Sequence, residues 1–153
     1  MYHNKVKITC IDDWSQFGGP KEEFLKNTNA NLSEDIDFEF IESDYKNVKY
    51  NDIGKYNLYL FDGPHEEIDQ YTGVIIALPA LDEIFVLIVD DYNWVGVQSG
   101  THRAIREGLT VLCDIEVQTT QNNTHPVKAI KENSDWHNGY YMALCKKSKA
   151  YTD

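Results

Sequence analysis

Polar and apolar positions divide this chain into short extended runs and longer periodic ones. Val6 to Ile11 is a β-rich run that ends in Asp12-Asp13-Trp14, and a turn-prone Phe17-Gly18-Gly19-Pro20 follows. Pro20 suits the first turn of a helix, where its missing N–H has no partner to lose. Lys21 to Leu32 carries Phe24, Leu25 and Thr28 at helical spacing. Ile36 to Ile41 alternates strictly, with Ile36, Phe38 and Phe40 on one face and Asp37 and Glu39 on the other, and ends in Glu42-Ser43-Asp44. A weak helical or turn segment runs to Gly54. Tyr56 to Phe61 is strand-like and ends in Asp62-Gly63-Pro64-His65.

The second half repeats the alternation. Glu66 to Leu78 sets Ile68, Tyr71, Ile75 and Leu78 three and four residues apart, a buried helical stripe with acids in its first turn. Ile84 to Val89 is continuously apolar, which suits a strand covered on both faces, and it ends in Asp90-Asp91-Tyr92-Asn93-Trp94. Val97, Thr101, Ala104, Ile105 and Leu109 make the next helix. Thr110 to Thr120 and Gly139 to Leu144 read as two last strands, joined by a polar loop from Gln121 to His137. Four strand–helix alternations predict one α/β domain over residues 1–153, with a mostly parallel, doubly wound sheet and helices on both faces. The last two strands, joined without a helix, predict an antiparallel pair at its C-terminal end.

Composition narrows the function. In 153 residues, Lys and Arg number 14 against 25 Asp and Glu, a formal charge of −11. Nucleic-acid binding is driven by clustered cations, so no nucleic-acid partner is expected, and no anionic membrane surface. No apolar run approaches the roughly 20 residues of a spanning helix. MYHNKVKITC has no apolar core followed by small residues, which points to a cytoplasmic protein. Cys10, Cys113 and Cys145 are too few and too scattered for a disulfide framework; Cys10 and Cys145, inside apolar runs, read as buried thiols.

Four strand ends carry acids: Asp12-Asp13, Asp44, Asp62 and Asp90-Asp91. In an open α/β sheet the ligand crevice lies beyond the carboxyl ends of the strands. Any one of these acids serves equally as a helix cap. Together they repel one another unless a cation is present, so the cluster predicts a bound cation or a cationic ligand. Asp62, Asp90 and Asp91, from two strand ends, offer the hard oxygens that suit Mg²⁺ or Ca²⁺.

Lys7-Ile8-Thr9-Cys10-Ile11-Asp12, Asp62-Gly63-Pro64-His65 and Val89-Asp90-Asp91-Tyr92-Asn93-Trp94 together resemble class I S-adenosylmethionine-dependent methyltransferases. The similarity is greatest to the small-molecule O-methyltransferases that use Mg²⁺. It implies a Rossmann-like fold and transfer of a methyl group from S-adenosylmethionine to a small-molecule hydroxyl. It implies that Asp12, with Asp13 and Trp14 beside it, holds the cofactor's ribose hydroxyls and that Asp44 contacts the adenine amino group. Asp62, Asp90 and Asp91 are then the Mg²⁺ ligands. His65 becomes the general base beside Asp62 at the catalytic position, and His137 a lining residue of the acceptor pocket with Tyr92, Trp94 and Trp136. The likeness begins at the family's second strand, so the glycine-rich loop after the first strand is missing and the domain reads as N-terminally incomplete. Strands Val6–Ile11 and Tyr56–Phe61 would then pair directly, be covered by a second copy in a homo-oligomer, or belong to a longer reading frame.

Two other readings stand beside this one. The chain would also suit a methyltransferase remnant kept as a binding or oligomerisation module without catalysis. A receiver-type signalling domain shares the small doubly wound plan, with Asp12-Asp13 and Asp62 at tolerable spacing. Its fourth strand should end in Ser or Thr, whereas this one ends in Asp90-Asp91, where extra negative charge opposes a phosphoryl group.

Overall fold

Strand and helix follow one another nearly as the periodicity requires. The elements are β1 (Val6–Asp12), α1 (Lys21–Asn31), β2 (Ile36–Glu42), β3 (Tyr56–Phe61), α2 (Glu67–Ala77), β4 (Leu81–Asp90), α3 (Val95–Gly108), β5 (Leu109–Val117) and β6 (Tyr140–Lys147). The structure, a computed structural model, describes residues 5–16, 18–120 and 138–151. The expected loop from Gln121 to His137 lies outside the described residues. The chain forms two compact units, Met1–Val48 and Lys49–Asp153, and its strands form two sheets, with β1 and β3 in different ones.

In the first unit β1 and β2 pair in parallel, in register from Val6 opposite Ile36 to Asp12 opposite Glu42. The apolar members of the alternating β2 face meet α1, where the Phe24 ring lies 5.7 Å from Phe40 and 6.2 Å from Phe38. Trp14, just past β1, completes this aromatic cluster at 5.2 Å from Phe24 and 5.5 Å from Phe40. Lys7–Glu39 and Lys21–Glu42 ion pairs cross the unit's surface, where exposed pairs contribute little. Pro20 stands just before the helix, as its N-cap, rather than inside its first turn.

The second unit is a four-stranded sheet in the order β3-β4-β6-β5. Only β3 and β4 are parallel; β6 runs antiparallel to both β4 and β5. The antiparallel end is therefore as expected, while the larger sheet is mixed rather than mostly parallel. Phe85, Leu87 and Val89 of β4 and Tyr141, Ala143 and Cys145 of β6 share one core with Val74 of α2, Leu78 directly after it, and Val97 and Ala104 of α3. Both helices of this unit thus feed a single sheet face. Alternate β4 residues lie on the other face, where Ile84 is exposed and Val86 and Ile88 are half-buried. The strand also begins three residues before the apolar run, because Leu81 reaches the core while Asp82 and Glu83 stay in solvent.

The expected stripe of α2 holds at Leu78, which is fully buried, and at Tyr71 and Ile75, which pack against the core, but it is not the whole inward face. Gln70, Gly73, Val74 and Ala77 are buried, whereas Ile68 is 57% exposed. A polar residue holds the inward face because it has a partner: Gln70 Nε2 donates to Thr101 Oγ1 of α3 at 3.1 Å. The two helices approach closely through glycine. A Cβ on Gly100 would stand 2.5 Å from the Glu67 carbonyl oxygen, and one on Gly96 would stand 2.3 Å from that of His65. Cys145 is buried, which pushes its thiol up to about 12; Cys10 is half-buried and Cys113 exposed. Among the described residues no helix is long and apolar enough to cross a membrane.

Candidate functional site

Because β3 and β4 are parallel, their carboxyl ends share one edge of the larger sheet, and antiparallel β6 begins at that edge, with Tyr140 opposite Asp90. Three chain segments therefore meet there. His65, four residues past β3, places Nε2 at 2.7 Å from Asp91 Oδ2. Asn138, two residues before β6, donates from Nδ2 to Asp91 Oδ1 at 2.5 Å. The Trp94 ring stacks on the imidazole at 5.8 Å between centroids and 17° between planes. Asp90 Oδ1 accepts from the Asp91 amide at 2.8 Å, and partial burial pushes the Asp90 carboxyl above its ordinary range.

The backbone at this edge is specialised. Asp91 has φ +56°, a left-handed conformation that costs a non-glycine residue free energy and is tolerated best by Asn and Asp. Its carbonyl accepts from the Trp94 amide at 3.1 Å, closing the turn that launches α3. Buried Asn93 ties the turn to its surroundings. Its Oδ1 accepts from the Thr119 and Thr120 amides and its Nδ2 donates to Thr119 Oγ1, while its amide donates to the Asn138 carbonyl at 2.7 Å. Asn138 and Asn93 were not among the sequence candidates. Asn93 stands inside the Val89–Trp94 motif with no role of its own, and nothing in periodicity marks Asn138; only the pairing of β6 with β4 brings Asn138 to Asp91.

In the first unit the expected residues stand where β1 and β2 end. Asp12 Oδ1 accepts from the Trp14 amide at 2.6 Å and Asp13 Oδ1 from the Ser15 amide at 3.0 Å. The Ser15 hydrogen bonds hold the exposed Asp13 carboxyl below its usual range. Asp44 caps the 3-10 turn Tyr45–Asn47 by accepting from the Lys46 amide at 2.8 Å. Trp14 is held left-handed at φ +59°, and its buried indole Nε1 has no hydrogen-bond partner among the described residues.

The expected Mg²⁺ set of Asp62, Asp90 and Asp91 does not fit a metal. No group of three metal-ligating side chains occurs among the described residues. Both Asp91 oxygens face nitrogen groups, and an Asp90 oxygen faces an amide, so three of the carboxylate oxygens of this set are engaged by N–H groups. No step is assigned to magnesium. Asp62 stands three residues before His65, directly after β3. Trp136 and His137 lie outside the described residues.

This order of elements, with a closing antiparallel strand inserted beside the parallel pair, is a Rossmann-like α/β fold, and it is similar to that of solved methyltransferases. Among solved structures, an rRNA methylase from Streptococcus thermophilus matches 94% of this chain and 74% of its own at a TM-score of 0.52 and 9% identity. The N-methyltransferase NodS from Bradyrhizobium japonicum WM9, in complex with S-adenosylhomocysteine, matches 94% of this chain and 67% of its own at 0.54 and 10% identity. No protein-family model and no curated protein sequence matches the chain.

Proposed function

We propose that this chain binds S-adenosylmethionine and catalyses methylation of a small-molecule hydroxyl. The observation that carries this reading is the 2.7 Å His65–Asp91 pair at the carboxyl ends of two parallel strands, in a methyltransferase fold. That edge is where α/β sheets hold their ligands.

Residues of the first unit suit the cofactor. Asp12 and Asp13 offer carboxylate oxygens to ribose hydroxyls, Asp44 offers one to the adenine amino group, and Trp14 brings a buried N–H in want of an acceptor. When bound, S-adenosylmethionine supplies an electrophilic methyl on a sulfonium. His65 takes the acceptor's proton as its oxygen attacks, the role of a general base. Asp62 borders this position. The charge of −11 favours a small acceptor over a polyanion, although one structural neighbour is an rRNA methylase.

Calorimetric titration with S-adenosylhomocysteine tests the reading. Micromolar affinity, unchanged by Mg²⁺, is expected, and Asp12→Ala should weaken it by about 1.5–3 kcal/mol, the range of a charge-assisted hydrogen bond. Absence of binding at millimolar ligand would overturn the reading in favour of a non-catalytic module. Tight association with RNA at physiological salt would overturn its small-molecule part.

A further inference from the structure

We infer that Asn138, Asp91 and His65 form a relay in which Asp91 is a positioning residue that fixes the imidazole tautomer, so that Nδ1 of His65 is the atom that accepts a proton. The inference takes its chemical purpose from the methyl-transfer reading, but its geometry belongs to the second unit alone.

The hydrogen-bond inventory determines the polarity of the chain. The Asn138 amide nitrogen can only donate, so Asp91 Oδ1 accepts. An ionised carboxylate has no proton to give, so Oδ2 must accept as well, and the group it faces at 2.7 Å, His65 Nε2, must carry the hydrogen. Neutral imidazole has one N–H. With Nε2 protonated, the basic lone pair is on Nδ1.

Three further features hold the ring in place. Trp94 stacks against it. Gly96 lies so close to the His65 carbonyl that the loop cannot sink toward α3. Asp91 is fixed in the left-handed region, which limits where its carboxylate can aim. Exposure separates the roles: the His65 side chain is 44% exposed, open to a ligand, whereas that of Asp91 is 18% exposed. Such a relay fits an acceptor with an ionisable O–H or N–H. On methyl transfer the acceptor's proton moves to Nδ1 as its lone pair forms the new bond to carbon and the sulfur–methyl bond breaks, its electron pair returning to sulfur.

Nitrogen-15 NMR of the full chain, with His65 assigned by comparison with His65→Gln, tests this without any substrate. Wild type should show neutral His65 as the Nε2–H tautomer, with an Nε2–H proton protected from exchange and shifted downfield. Asp91→Gly keeps a residue at ease at φ +56° but removes the carboxylate, and the protected proton should vanish. Asp91→Asn, which keeps Oδ1 for Asn138 but sets an NH2 against His65 Nε2, should switch the ring to the Nδ1–H tautomer, so the protected proton should be missing there too. Should Asp91→Gly not fold, Asn138→Ala provides the second test, with the Nε2–H resonance expected to move while the tautomer stays. An Nδ1–H tautomer in wild type, or a protected proton indifferent to Asp91→Gly or to Asn138→Ala, would overturn the relay. Failure of S-adenosylhomocysteine binding with the tautomer as expected would instead overturn the methyltransferase reading and leave the relay standing.

Discussion

At the scale of single residues, acids recur at strand ends, and each performs a different local task. Asp12, Asp13 and Asp44 each accept a backbone amide two residues on, the short-range habit that places Asp in turns and caps. Asp91 accepts from side chains far away in sequence. The acids themselves were legible in the sequence, since their type and position follow from strand ends. What they bind was not, because Asn138 reaches Asp91 only through the register of β6 on β4. Asp90 carries a pH consequence. Its folded-state carboxyl is raised above the ordinary 3.8 chiefly by burial. The protonated form therefore fits the fold better, and the benefit, complete below 3.8, is lost as pH rises through the raised value. Asp90→Asn keeps an oxygen for the Asp91 amide without the charge. Its urea midpoint should match wild type in strong acid and overtake it toward neutrality; parallel curves would show that burial of the charge costs nothing here.

At the scale of elements, the strands were easier to read than the helix faces. Alternation and apolar runs located β1, β2 and β3 to within a residue, because a strand's pattern has period two and its partners repeat it. On α2 the apolar rule placed Tyr71, Ile75 and Leu78 correctly against the core and failed at exposed Ile68; it missed Gly73, which turns inward beneath the Phe61 ring, and Gln70, which is satisfied by Thr101. Gly96 makes a sharper test of this contact. Ala in a helix interior is worth about 1 kcal/mol over Gly. The new methyl, however, would meet a backbone carbonyl at 2.3 Å, which cannot swing away as a side chain can. Gly96→Ala should therefore cost a net ~1–3 kcal/mol, the usual range of overpacking, and shift the His65 resonances. Gly108→Ala, facing the movable Ile75 Cδ1 at 2.8 Å, should cost less. Equal melting temperatures for the two variants would refute the comparison.

At the scale of the whole molecule, the alternation read from the sequence gives the α/β class, while the division into Met1–Val48 and Lys49–Asp153 has no mark in composition or linker. The two units differ in what they bury. The core cluster lies entirely in the second, and among the described residues of the first none is fully buried. A chain so short with so little core is marginal by itself. Residues 49–153 produced alone should unfold cooperatively with native-like near-UV dichroism, and residues 1–48 alone should show neither; a cooperative transition in the shorter piece would contradict this. The strand order has one more consequence, for the history of each molecule. β6 is synthesised after β3, β4 and β5, yet it lies between β4 and β5. During translation β5 has no neighbour to pair with, and the far edge of β4 stays open. The larger sheet cannot close, and Asn138 cannot reach Asp91, until the ribosome has made β6.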